Sequence, residues 1–303
     1  MAMVFLFTTI NYNNNIIIES CEKRRYFMPS TYAHYRLGLE VKNNLGVAER
    51  KVVEEYLELF MIGLHGPDIL FYFNPLFSNQ VNQIGYAMHG RSGKEFFENA
   101  AKVIKQHPDN KAYLSYVYGF ICHFILDETC HGYIDEKIES SGISHTEIEV
   151  EFDRMLMVKD GYDPIRHRLT EHIVPSMENA EVIQAFFEGA DSVQVYQALK
   201  GMIKSNNLLL APSKGKRLLI NALLKVTGNY KEMHGLVVNY KKNPLCDDSS
   251  RKLWFLYQEA KGSAVSLIHE YLSYMEGSEN LNQIYSYSFG SKLIEEEEIK
   301  DAI

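Results

Sequence analysis

Residues 123–131 read HFILDETCH, and a short interval later residues 145–149 read HTEIE. Helical residues four apart drift only about 40° around the axis, so His123, Asp127 and His131 line one stripe of a helix. His145 and Glu149 repeat the same four-residue offset. Two facing stripes of this kind offer imidazole nitrogens and carboxylate oxygens without thiolate, a donor mixture that suits zinc in a hydrolytic site better than in a structural one. The positions around the first stripe, Tyr113, Leu114, Val117, Phe120, Phe124 and Ile125, are apolar. The stripe is therefore expected on a buried helix, where Asp and His left unpaired cost on the order of several kcal/mol and a bound metal removes that cost. Because a carboxylate has two independently accepting oxygens, Asp127 is suited to bridge two metals.

Outward from this stretch the pattern stays helical. VAERKVVEEYLELFMIGL (47–64) places Val52, Val53, Tyr56, Leu57, Phe60 and Leu64 at helical intervals. HGPDILFYFNP (65–75) breaks the period with Gly66, Pro67 and Pro75, which predicts an aromatic loop carrying His65 and Asp68. Its Phe71, Tyr72 and Phe73 are read first as core and second as an apolar wall for lipid or base. Ser92 with Glu95 predicts a capping box opening a helix to about Gln106, and a helix from about Asn110 runs through the organising stretch. Ser144 with Glu147 predicts a second capping box, which puts His145 at the first helical position. Further helices are expected at 177–202, 214–226 and 249–275. With strand signals scarce and no internal repeat, the reading is an all-α, multi-helix bundle.

The chain has 303 residues, 46% of them apolar and 23% charged, the profile of a globular protein. A formal net charge of -8 argues against a general surface for double-stranded nucleic acid. Cys21, Cys122, Cys130 and Cys246 form neither a zinc-knuckle spacing nor a disulfide framework; Cys122 and Cys130, each just before a histidine of the series, read as reduced core residues, which points to a reducing, cytoplasmic setting. No run of 18 apolar residues suggests a transmembrane segment, and the opening MAMVFLFTTI lacks the features of a signal peptide. Residues 1–27 include NYNNNIIIES, the kind of run that adenine- and thymine-rich DNA encodes. Arg24-Arg25 just before Met28 is what a purine-rich ribosome-binding site encodes. Met28 is accordingly expected to be the native start and 1–27 a non-native or disordered extension. The end, EEEEIKD, reads as a frayed acidic tail, and the cluster Lys214, Lys216, Arg217 as a solvated helix start.

Seven of the eleven histidines fall between 34 and 145. His34, Asp68, His89, His123, Asp127, His131, His145 and Glu149 form the candidate ligand series. His65 and His107 lie beside Gly or Pro and read as surface or outer-layer residues, while His167, His172, His234 and His269 lack ligand spacing.

MPSTYAH (28–34), HGPDI (65–69), AMHG (87–90), HFILD (123–127), His131 and HTEIE (145–149) together resemble the zinc-dependent phospholipase C family, whose superfamily also holds single-strand-specific zinc nucleases. The resemblance covers roughly 28–165, leaving 166–303 as a helical extension of unassigned role. It implies an all-helical fold with a cleft for two or three zinc ions. His89, His123 and Asp127 would hold one, His131, His145 and Glu149 a second, and His34 with the bridging Asp127 a third, with Asp68 as ligand or general base. The resemblance further implies a terminal amine and carbonyl as ligands. In relatives a tryptophan supplies them, whereas here the first tryptophan is Trp254 and a start at Met28 would leave Pro29 for the role. The interval from Asp127 to His131 is four residues where secreted relatives have six, which implies an altered second site. The function expected is a zinc-dependent phosphodiester hydrolase in which zinc-bound hydroxide attacks phosphorus, acting on a small-molecule or lipid phosphodiester. The alternatives are a single-strand nuclease or nucleotide phosphohydrolase, a non-catalytic metal-binding interaction protein and a purely structural zinc protein.

Overall fold

A computed structural model describes residues 30–108, 111–226, 228 and 230–294. The proposed extension 1–27, Met28, Pro29, Cys21, the Asp109–Asn110 helix start and the acidic tail from 295 onward lie outside the described residues. Among the described residues there are twelve α-helices and no strand, only two isolated bridges, Ser92 with Ser288 and Tyr287 with Leu293. The all-α expectation holds.

The helices are α1 (Thr31–Asn44), α2 (Val47–Glu55), α3 (Leu57–Gly63), α4 (Gln80–His89), α5 (Gly93–Gln106), α6 (Lys111–Ser141), α7 (His145–Lys159), α8 (Met177–Gln184), α9 (Ser192–Leu209), α10 (Lys214–Val226), α11 (Tyr230–Met233) and α12 (Asp247–Glu276). At 31 residues, or about 46 Å, α6 is the central element. It is apolar on nearly every face between Ala112 and Ile134, as a helix surrounded by others must be. α1, α2, α3, α5, α7, α8 and α12 all pack against it. One core runs from Tyr32 to Phe289 and joins Phe97, Phe120 and Phe124 to Ile183, Leu199, Leu267 and Tyr285 from the second half of the chain. None of the described helices is long and apolar enough to cross a membrane.

Several local expectations are corrected. The helix expected over 47–64 is broken at Tyr56, whose backbone (φ -124°, ψ 49°) leaves the helical region between α2 and α3. The loop expected at 65–75 is a 3₁₀ turn over Gly66–Tyr72, with Pro67 in its first turn. The helix expected over 177–202 is two, α8 and α9, separated by a turn that includes Gly189. Neither predicted capping box closes. Ser92 accepts from the Lys94 amide and donates to the Tyr285 carbonyl, while Ser144 accepts from the Glu147 amide. The Glu147 carboxylate instead receives Asn243 and pairs with His234.

α3 and α6 meet at a pair of glycines. A Cβ on Gly119 would sit 2.2 Å from the Phe60 carbonyl oxygen, and one on Gly63 2.2 Å from that of Tyr116. The two backbones touch where any side chain would wedge them apart. This contact sets the 3₁₀ turn that follows α3 directly over the middle of α6. Gly119→Ala is therefore expected to lower stability by about 3 kcal/mol, read as a shift of the urea midpoint, and an unchanged midpoint would contradict this packing.

Candidate metal centre

His123, Asp127 and His131 all lie on the buried stretch of α6, and His145 and Glu149 open α7 beside it. His34 comes from α1, His89 ends α4, and Asp68 comes from the 3₁₀ turn. That turn passes over the His123 ring. Gly66 has φ +46°, and a Cβ there would lie 2.2 Å from the ring, so only glycine lets the chain bring Asp68 to the same centre.

Three groups of side chains converge, each with its ligand atoms within 4.8 Å of one another: Asp68, His89 and His123; His34, His123 and Asp127; and His131, His145 and Glu149. Asp68 Oδ1 lies 2.9 Å from His89 Nε2 and 4.0 Å from His123 Nε2. Asp127 presents Oδ1 at 3.2 Å to His34 Nε2 and Oδ2 at 3.3 Å to His123 Nε2. Glu149 faces His131 Nε2 at 3.6 Å and His145 Nε2 at 3.2 Å. The grouping differs from the arrangement that the resemblance implied, since Asp68 rather than Asp127 stands with His89, and His34, His123 and Asp127 form one set. A cavity lined by Ser30, His34, Asp127, His131 and Glu149 connects the second and third groups. Pro29 lies outside the described residues; its neighbour Ser30 is buried and lines this cavity.

Two rings are held in one tautomer from behind. His89 Nδ1 bonds the Gly85 carbonyl at 2.8 Å, and His131 Nδ1 bonds the Phe289 carbonyl at 2.7 Å. Each Nδ1 donates, so each Nε2 is turned toward the carboxylates and offers its lone pair to a metal once its proton leaves, the usual arrangement behind a metal-bound imidazole. α1 is held by α7: the Asp153 carboxylate accepts the amides of Tyr32 and Ala33 at 2.9 and 2.8 Å. Asp153 thus caps the helix that carries His34. Burial pushes its pKa up to about 8 even against these two bonds. Asp153 extends the His145, Glu149 series by one more turn, the sequence signal by which it was findable.

The donor set fits a metal. Both nitrogens of His34 and of His123, together with Asp68 Oδ1, Asp127 Oδ2 and Glu149 Oε2, are shielded from solvent without a hydrogen-bond partner. Such a cluster is costly unless a cation lies among its atoms. Burial drives the His123 pKa down to about 4, so that ring is neutral and able to ligate. Burial opposes charge on His131 as well, but Asp127 and Glu149 outweigh it and push its pKa up to about 10. Glu149 is held down at about 2, since His145 and His131 outweigh burial.

Outside the three groups, most side chains stand where their sequence context places them. Of the two places open to His65, the structure takes the outer layer: the ring is buried beside His34 and Asp68, and its Nε2 lies 2.7 Å from that of His172, which stacks on Tyr35. Burial lowers both pKa values, that of His172 to about 3, so one neutral ring donates to the other. His107 is exposed and stacked on Tyr113. Phe71 is core, packed on Tyr86 and His89, whereas Tyr72 lines a second cavity with His34, His65 and Asp68. Cys122, Cys130 and Cys246 are buried free thiols.

The fold and the site together define an all-helical protein built around buried imidazole and carboxylate clusters able to hold metal ions. More specifically, the chain belongs to the zinc dependent phospholipase C family, whose model matches residues 33–200, just over half of the chain and all eight candidate ligands from His34 to Glu149. Comparison with curated proteins and with solved structures returns no match.

A pH signature follows for the metal-free protein. The folded pKa of His131, about 10, lies above its ordinary 6.5, so this ring stabilises the fold fully below pH 6.5 and the contribution disappears as pH rises through 10. Glu149 works in the opposite sense, contributing above 4.5 and losing the contribution as pH falls through 2. With chelator present, the melting temperature is expected to decline from pH 6.5 upward. With zinc present the decline should flatten, because the metal displaces the ring proton. Identical profiles with and without chelator would contradict this.

Proposed function

We propose that the protein is a zinc-dependent phosphoric ester hydrolase of phospholipase C type, holding two or three zinc ions and cleaving a phosphodiester. The observation that carries this reading is the set of three adjoining groups of nitrogen and oxygen donors without thiolate, buried but for His145, within a chain of this family. Asp68, His89 and His123 would hold one ion, His34, His123 and Asp127 another, and His131, His145 and Glu149 the remaining one. Zinc supplies Lewis acidity there, lowering the pKa of a water and offsetting charge on phosphoryl oxygens.

The chain's own groups have distinct tasks. Asp68 lines the cavity beside His34, His65 and Tyr72 and is the carboxylate assigned to orient the attacking water and take its proton. Asp127, with one oxygen toward His34 and the other toward His123, fixes the separation of the two rings. His145, with one-fifth of its side chain exposed, gives the third group its access to solvent. The closely packed aromatic rings Phe71, Phe120 and Phe289 keep bulk water from the opposite side.

Hydrolysis of a soluble chromogenic phosphodiester is expected from the zinc-loaded protein, abolished by chelator and restored by zinc. Asp68→Asn is expected to lower kcat by about a hundredfold or more. Cleavage of single-stranded DNA in preference to lipid-type diesters would shift the reading to a nuclease, and zinc binding without any hydrolysis would shift it to an interaction protein.

A further inference from the structure

The net charge of the chain hides a local reversal. Residues 192–246 carry nine basic side chains and a single acidic one, Glu232, in a protein whose net charge is -8. This stretch, almost all of it beyond the family match that ends at residue 200, includes α9, α10 and α11. It also holds seven of the sixteen large apolar side chains that stand exposed among the described residues: Val193, Leu208, Leu218, Leu219, Val226, Tyr240 and Leu245.

The two properties meet on α10. Only Ile220 and Leu224 of this helix are buried, in a small cluster with Ala211 and Val237 that is separate from the main core. On the outer side, Gly215, Leu218, Leu219, Ala222 and Val226 fall within an arc of about 100°. Leu218 is 72% exposed, Leu219 52% and Val226 84%. Lys214 and Lys225 lie within about 40° of one edge of this arc. Lys216 and Arg217 turn inward onto backbone carbonyls, Lys216 onto those of Asn207 and Leu210 and Arg217 onto those of Ala211 and Val238. They fasten the helix to the body, and no carboxylate neutralises them among the described residues. More than a solvated helix start, the basic cluster anchors a helix that presents its apolar face to solvent.

We propose that α10 docks the protein on an anionic lipid surface, with Leu218, Leu219 and Val226 entering the interface between headgroups and acyl chains and Lys214 and Lys225 lying against lipid phosphates. An exposed apolar arc edged by lysines is the pattern of an interfacial helix. Charge complementarity decides the occupant. In a two-fold contact with a second copy, the lysines of one face would meet the same basic surface on the other, whereas an anionic bilayer offers them opposite charge. The segment also abuts the candidate site. The turn over His234–Leu236 packs on the start of α7, with Gly235 against Thr146 and His234 paired to Glu147 at 3.2 Å, next to the partly exposed His145. The docking surface is thus tied to the element bearing the ligand most open to solvent. The inference rests on the reading of the protein as a phospholipase-type hydrolase only in naming lipid as the substrate class.

The test is cosedimentation of the full chain with vesicles of phosphatidylcholine alone and of phosphatidylcholine mixed with phosphatidylglycerol, in chelator so that no turnover occurs. Binding to the anionic vesicles is expected and should weaken with added salt. Leu218→Asn with Leu219→Asn, and separately Lys214→Glu with Lys225→Glu, are each expected to weaken binding about tenfold or more while leaving hydrolysis of a soluble phosphodiester unchanged. No binding by the parent chain, equal binding by the variants, or a dimer in sedimentation that the leucine changes dissolve would overturn the proposal. Vesicle binding without any hydrolysis would overturn the catalytic reading and leave the docking surface intact.

Discussion

Imidazoles and carboxylates withdrawn from water into the middle of a helical bundle are the constraint around which the structure is arranged. His34, Asp68, His89, His123, Asp127, His131 and Glu149 are all buried, and both nitrogens of His34 and His123 with one oxygen each of Asp68, Asp127 and Glu149 have no hydrogen-bond partner. A stable core does not tolerate such groups unless a cation compensates them. Along its buried stretch the central helix α6 is apolar on most other faces, which concentrates the cost on the stripe carrying His123, Asp127 and His131.

Much of the remaining structure positions those groups. The glycine contact between α3 and α6 lowers the 3₁₀ turn onto the His123 ring, and Gly66 lets the chain pass over it to deliver Asp68. Asp153 holds the start of α1, and with it His34, against α7. The Phe289 carbonyl, from the far end of the described chain, fixes the His131 tautomer. Residues well outside the matched family region therefore complete the orientation of a candidate ligand within it.

The fold class and the side chains that converge at the centre could be read from the sequence because His, Asp and Glu at a four-residue offset share one helix face, and on an apolar helix that face is costly to bury without a cation. What escaped depended on contacts distant in the chain. His65 and His172 are 107 residues apart and meet through tertiary packing alone. The regrouping of Asp68 with His89 follows from the path of one turn, which periodicity does not encode. The break at Tyr56 is a backbone event inside an unbroken apolar pattern. By contrast, the basic, apolar-faced segment at 192–246 was countable from the sequence; the overall charge concealed it, because an acidic remainder outweighs it.

Metal content tests this picture most directly. Elemental analysis of the purified chain, combined with X-ray absorption at the zinc edge, reads both stoichiometry and donor type. Two or three zinc ions per chain are expected, ligated by nitrogen and oxygen with no sulfur, and their loss is expected when His123 is replaced by Ala. Fewer than one zinc per chain, or a sulfur shell, would contradict the assignment of the buried cluster as a metal centre.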